Sequence, residues 1–262
     1  MVEELEGWEQ TLTAGPLLLI AAAAIAALLV LIIKLKMHAF VALIVISFLT
    51  AVAAGIPFGA VVPVMLDGFG GTLASVALLV GLGAMLGRLL ETSGGAQVLA
   101  EKLISIFGEK RAPLALGVAS LLFGFPIFFD AGLVVMLPVV FAVARRLGGS
   151  VLLYALPSVG AFSVMHVFLP PHPGPVTAST FFEANVGLVL LVGLVAALPA
   201  WYLSSYLFSK VMGRRIDLPV PSILGEAEAV QNPPKTGTVV LILLLPMLLI
   251  FLNTGLSTLL KS

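Results

Sequence analysis

Gly124-Phe125-Pro126-Ile127-Phe128-Phe129-Asp130 and Leu169-Pro170-Pro171-His172-Pro173-Gly174-Pro175 interrupt the long apolar region between residues 114 and 182. Each proline removes a backbone N–H and clashes with the turn before it, so no continuous helix survives four prolines within 170–175. In lipid, broken backbone is tolerated only where protein or a water-filled cavity covers it. Two such breaks at membrane depth, each carrying an ionisable residue, match the way secondary transporters build a binding site.

The surrounding composition agrees with a membrane setting. The chain has 262 residues, of which 60% are hydrophobic and only 10% charged. A soluble domain carries about 25% charged residues, so this is expected to be an integral membrane protein. Thirteen basic residues balance thirteen acidic ones, which gives no reason to expect a nucleic-acid partner. The absence of cysteine excludes disulfides, thiolate metal sites and cysteine nucleophiles. No HExxH or nucleophile motif appears, so neither an enzyme nor a metal or cofactor site is expected. Residues 1–10 are acidic and lack the basic start of a secretory signal.

Charge placement orients the segments. Residues 16–33 are apolar and uncharged, enough for one span of about 17–25 residues. Lys34 and Lys36 follow, and basic residues favour the cytoplasmic side, so this helix runs inward from an outside N-terminus. Residues 38–54 return outward, and 55–71, with Pro57, Pro63, Asp67 and several glycines, predict an outer connection whose re-entrant character is left open. Residues 72–90 run inward, with Arg88 near the cytoplasmic end. In 94–111, Val98, Leu99, Leu103, Ile104 and Phe107 recur at helical spacing, while Glu101, Lys102, Glu109, Lys110 and Arg111 take other positions. That pattern predicts an amphipathic helix at the cytoplasmic interface.

Between Arg111 and the pair Arg145-Arg146, charge decides the shape. Both flanks belong on the cytoplasmic side, so a single spanning helix is excluded. The run is also shorter than the roughly 40 residues two full spans require. Two half-length helices meeting at 124–130 satisfy both limits, which predicts a re-entrant hairpin dipping in from the cytoplasm. Residues 150–168 then run outward, break at 170–175 and continue as a short half-helix over 176–182. Residues 186–208 run inward to Lys210, Arg214 and Arg215. Residues 217–235, with four prolines, Glu226 and Glu228, predict a polar cytoplasmic linker, and 237–252 begin a new outward span.

At the two breaks, Gly124-Phe-Pro-Ile-Phe-Phe-Asp130-Ala-Gly132 and Pro170-Pro-His-Pro-Gly-Pro175 resemble the gluconate permease family of proton-coupled importers of sugar acids, and the similarity runs through nearly the whole chain. The family in turn resembles the ion-transporter superfamily, in which two inverted repeats each supply a hairpin and an interrupted helix, and a transport domain moves past a static scaffold. The resemblance implies an all-α, polytopic inner (cytoplasmic) membrane protein with a re-entrant hairpin and an interrupted transmembrane helix. One inverted-repeat half and the first helix of a second are expected. On that basis 1–15 form an extracytoplasmic N-terminus and 16–91 scaffold-type helices. Residues 94–111 form the interfacial helix and 112–185 the transport region. Residues 186–211 make a transmembrane helix, 212–236 a linker, and 237–262 the first helix of an incomplete second half. Family members are longer, so the chain is expected to be truncated and to fall short of transport alone. A homo-oligomer or pairing with a second half remains open. The implied partners are a gluconate-like small carboxylate, protons and membrane lipid. A channel and a non-transporting structural or assembly subunit are the alternatives from other classes; a carrier saturates and responds to a pH gradient, and a pore does neither.

The candidate substrate- and proton-binding set is Asp130 and His172, the break residues Gly124, Pro126, Pro171 and Gly174, and the hydroxyls of Thr177 and Ser179. Asp130 either caps the following helix or holds a proton, a substrate hydroxyl or a cation; a carboxylate buried at membrane depth would be a proton carrier. His172 is either structural or a relay and carboxylate donor. Thr177 and Ser179 either help helices pack or bind a polyol near a half-helix N-terminus that favours an anion. His166 is a weaker candidate. Arg88 and Glu91 stand at i, i+3 and could pair.

Overall fold

The computed structural model describes residues 5, 7–221 and 232–261, and they fold into helices joined by short turns, with no strand among them. Four helical stretches among them are long and apolar enough to cross a membrane: Ala14–Lys34, Val151–Phe181, Val186–Arg215 and Thr236–Leu256. The chain is therefore an all-α, multi-pass membrane protein.

The chain divides into two units, Met1–Ser75 and Val76–Ser262. In the first, α1 (Ala14–Leu29) continues into a π-helical turn at Val30–Lys34, and α2 (Ala39–Ala53) packs beside it. The N-terminal segment is tied to the far end of α2: Trp8 Nε1 donates to the Gly55 carbonyl at 3.0 Å and Gln10 Nε2 to that of Ala54 at 3.1 Å. A tryptophan with an apolar body and one N–H suits a membrane–water boundary. Residues 55–71 are not the expected connection throughout, because α3 (Phe58–Thr92) is helical from Phe58 and carries Pro63 inside it. Proline is tolerated within membrane helices where other groups satisfy the freed backbone.

In the second unit, α4 (Gly95–Phe107) follows Gly94, whose φ of 73° ends α3 in the left-handed region glycine favours. Its apolar face is buried at Leu99, Ala100 and Ile104, against α5 (Ala112–Gly124) and α6 (Phe129–Leu147). The same face that suggested an interfacial helix is therefore covered by the chain itself. Helices α5 and α6 form the helical hairpin. Pro126, which has no N–H to give and crowds the preceding turn, stops α5. Helix α6 restarts after an extended Phe128 and ends at Gly148, with Arg145 and Arg146 in its last turn, where cations meet the negative end of the helix dipole.

Helix α7 (Val151–Phe168) starts at Ser150, whose hydroxyl accepts the Leu152 N–H at 3.3 Å. It packs chiefly on α5 and α6. After the break, α8 (Pro173–Phe181) begins three residues earlier than the sequence suggested. Pro173 and Pro175 sit in its first turn, where a missing N–H costs nothing because those donors lack helical partners anyway. The break is thus confined to 169–172 and includes a cis Pro170–Pro171 bond. Helix α9 (Val186–Trp201) is capped by Asn185, whose Oδ1 accepts the Leu188 N–H at 3.1 Å, and passes through a π-helical turn, Tyr202–Leu207, into α10 (Phe208–Arg215). Helix α11 (Thr236–Lys261) completes the described chain. Residues 222–231 of the expected linker, with Glu226 and Glu228, lie outside the described residues.

One core joins α4, α5, α6 and the start of α7 around Leu99, Leu116, Phe123, Met136 and Val140, with Leu243 of α11. A second gathers Leu121, Phe125, Leu169, Leu190 and Trp201 where α5, α7 and α9 meet. There Trp201 Nε1 donates to the Pro157 carbonyl at 2.8 Å, and Gly117 leaves room for the indole: a Cβ at Gly117 would stand 2.5 Å from it.

Candidate functional site at two helix breaks

The end of α5 and the break after α7 meet. His172 is the N-cap of α8, yet its ring caps nothing; it turns to the hairpin instead. Its Nε2 lies 2.9 Å from the carbonyl oxygen of Gly124, which can only accept, so Nε2 carries the proton. That carbonyl belongs to the last turn of α5, where helix carbonyls lack partners. His172 is only 2% exposed, so the bond is sealed from solvent.

Two more rings close the junction. Phe128, at the hairpin tip, stands edge-on to both histidines, with centroids 5.7 Å from His172 and 5.8 Å from His166. The two imidazoles are 4.7 Å apart. His166, in the last turn of α7, has a buried Nδ1 with no hydrogen-bond partner among the described residues. A buried polar atom left without a partner costs about 1–3 kcal/mol, so this Nδ1 is open to a proton, a water or a ligand; Ser120 Oγ of α5 is another such atom among the described residues.

Glycine makes the approach of the hairpin possible. Phe162 of α7 wedges between Gly124 and Gly132: a Cβ at Gly124 would stand 3.0 Å from its ring, and one at Gly132 would overlap it. On the other side, Gly83 and Gly87 of α3 let that helix lie against Pro126 and Ile127, with a Cβ at Gly83 placed 2.8 Å from the Pro126 carbonyl. Small residues four apart are how membrane helices bring backbones together. The glycines of the first motif therefore act in packing, while the Gly124 carbonyl holds His172.

The remaining predicted residues divide differently. Asp130 is the second residue of α6 and is exposed, so the expectation of a buried carboxylate is corrected; Phe128, not Asp130, is the N-cap. Its charge still faces the positive end of α6. Gly174 and Ser179 line a separate groove of about 360 Å³ with Phe168, Pro175, Ala178 and Phe182. Ser179 is buried, and its hydroxyl donates to the Pro175 carbonyl at 2.6 Å. Pro171 and Thr177 are half-buried and do not line that groove. Arg88 is exposed, and its pairing with Glu91 falls on a side chain outside those described. His166 and Phe162 are the residues sequence reasoning underrated. For His166 a signal existed: it stands three residues before the second break, which itself holds His172.

This geometry belongs to a chain with close relatives. A profile describing GntP family permeases matches residues 16–262. The chain is 48% identical over 193 residues to a gluconate permease of Bacillus subtilis, covering 74% of this chain and 43% of that protein. It is 40% identical to a gluconate permease of Bacillus licheniformis, over 90% of this chain and 54% of that protein. It is also 37% identical to the inner membrane permease YgbN of Escherichia coli, over 93% of this chain and 56% of that protein. The chain thus spans about half the length of the curated relatives it matches. No solved structure matches it. With the profile matched over nearly its whole length, the chain belongs to the GntP permease family.

Proposed function

We propose that the chain forms part of a secondary carrier in the inner membrane, importing gluconate or a related small hydroxylated carboxylate with protons, and that the junction of the two breaks handles both. The names of its relatives as gluconate permeases and transporters support the substrate class. One observation carries the site: the His172 hydrogen bond to Gly124, with the unpartnered Nδ1 of His166 beside it.

The chemistry follows from these groups. When the hairpin tip and the break separate, the His172 N–H loses the Gly124 carbonyl and becomes a donor for a carboxylate. The Gly124 carbonyl becomes an acceptor for a substrate hydroxyl. The first turn of α8 adds the positive end of a half-helix, which favours an anion. His166 Nδ1 accepts a proton. Asp130, exposed at the start of α6 two residues after Phe128, is the candidate to pass that proton on. The hairpin is read as re-entrant from the cytoplasm, since its arms of 13 and 19 residues begin and end beside Arg111 and Arg145-Arg146.

The test is equilibrium binding of labelled gluconate to the reconstituted chain, with the protons taken up on binding measured in weakly buffered solution. Saturable binding with proton uptake is expected, and both are lost in His172→Ala. Saturable binding that is indifferent to His166 and His172 would move the site elsewhere, and no binding at all would overturn the reading for this chain.

A further inference from the structure

At the opposite end of α5 from the breaks, a second cavity of about 330 Å³ opens between two segments far apart in sequence. Lys110 and Arg111, in the turn before α5, form one wall, and Lys210 and Arg214 of α10 form the other. The latter two are spaced i, i+4 and share a helix face. Gly213 permits the arrangement. It sets α10 against the start of α7 so closely that a Cβ there would lie 3.0 Å from that of Leu153.

Four cations converge here, and among the described residues no carboxylate or other group pairs with them except the ring of Tyr206. Lys210 Nζ sits 4.3 Å from the centre of that ring, which is itself held by Trp201 and Tyr202. The lysine is thus positioned before any ligand arrives. Like charges brought together repel unless an anion neutralises them. The floor is apolar, formed by Pro113 and Leu153, and the flank beside it, formed by the Tyr202–Leu207 turn and α10, exposes Leu203, Leu207, Phe208 and Val211. A soluble anion has no use for that flank, whereas acyl chains do.

We propose that this pocket binds the phosphate of an anionic glycerophospholipid, with its acyl chains along the exposed apolar side of the Tyr202–Leu207 turn and α10. The position suits it: basic pockets between membrane helices at the cytoplasmic face hold anionic headgroups. The proposal does not depend on the transport reading, because none of its residues belongs to the two breaks.

Native mass spectrometry of the full chain in detergent, supplied with phosphatidylglycerol or phosphatidylcholine of identical acyl chains, tests it. Phosphatidylglycerol is expected to be retained at least roughly tenfold more tightly. Lys210→Gln with Arg214→Gln should weaken that retention by roughly thirtyfold, the effect of two surface cations on an anionic lipid. Lys110→Gln with Arg111→Gln should do the same from the other wall, so a fault in the folding of one variant does not hide the result. Lys34→Gln with Lys36→Gln, which removes equal charge elsewhere, should leave retention unchanged. Equal retention of both lipids, or equal loss in the Lys34/Lys36 variant, would overturn the proposal. Displacement of phosphatidylglycerol by millimolar inorganic phosphate would overturn it in favour of a soluble anion.

Discussion

His172 and His166 do different work although their rings touch. His172 spends its Nε2 proton on Gly124, so His172→Ala strands a buried carbonyl and should lower stability by about 1–3 kcal/mol, read as a fall in the unfolding temperature in detergent. His166→Leu removes a buried atom that has no partner, so it should leave stability unchanged or raise it while abolishing proton uptake on gluconate binding. A His166→Leu variant that is destabilised and still takes up protons would show a purely structural histidine. Asp130→Asn touches an exposed carboxylate whose only evident structural role is to face the helix dipole. It should change stability by less than about 1 kcal/mol yet slow proton uptake. Asp130 and His172 could be picked from the sequence because each is an ionisable residue in a broken apolar run. The outward direction of Asp130 could not, since a break gives no facing. His166 looked ordinary because it lies within a regular helix, and only the fold shows that the helix ends over the hairpin tip.

The helices make sense through what they must pass closely. Gly132→Ala would push a methyl group into the Phe162 ring, held from the other side by Gly124, and should cost about 1–3 kcal/mol of stability. Gly174→Ala, in the first turn of α8 with open space around it, should cost nothing or stabilise slightly. Equal effects at the two positions would remove the packing explanation for the first motif. The arms of the hairpin yield a topological expectation: single cysteines at Glu109 and Gly148, beyond its two ends, should react with an impermeant thiol reagent from the cytoplasmic side only. That two helices meet at 124–130 was readable because glycine and proline interrupt the apolar run there. The start of α8 was misplaced because prolines were counted as breakers throughout, although two of them fall in the first turn, where a helix accepts them. Residues 55–71 read as an outer connection for the same reason, although they are helical from Phe58, since glycine and proline carry less breaking weight in lipid than in water.

Taken together, the second unit is a bundle with a sealed junction where two helix breaks meet and a cationic pocket at the far end of α5. Elsewhere it turns apolar side chains such as Leu188, Val192, Val195 and Leu203 outward, as a protein does whose solvent is lipid. Composition and charge were enough to assign this class. The meeting of the two breaks was not in the sequence, because 48 residues separate Gly124 from His172 and nothing local couples them. The functional reading stands on the hairpin tip and the helix break facing each other, and the absence of native cysteine makes that directly testable. Cysteines replacing Phe128 and His166, whose rings stand 5.8 Å apart, should be bridged by a short bifunctional thiol reagent in membranes and recovered as one linked peptide pair by mass spectrometry. Modification of both thiols with no bridged pair would contradict the junction and the site built on it.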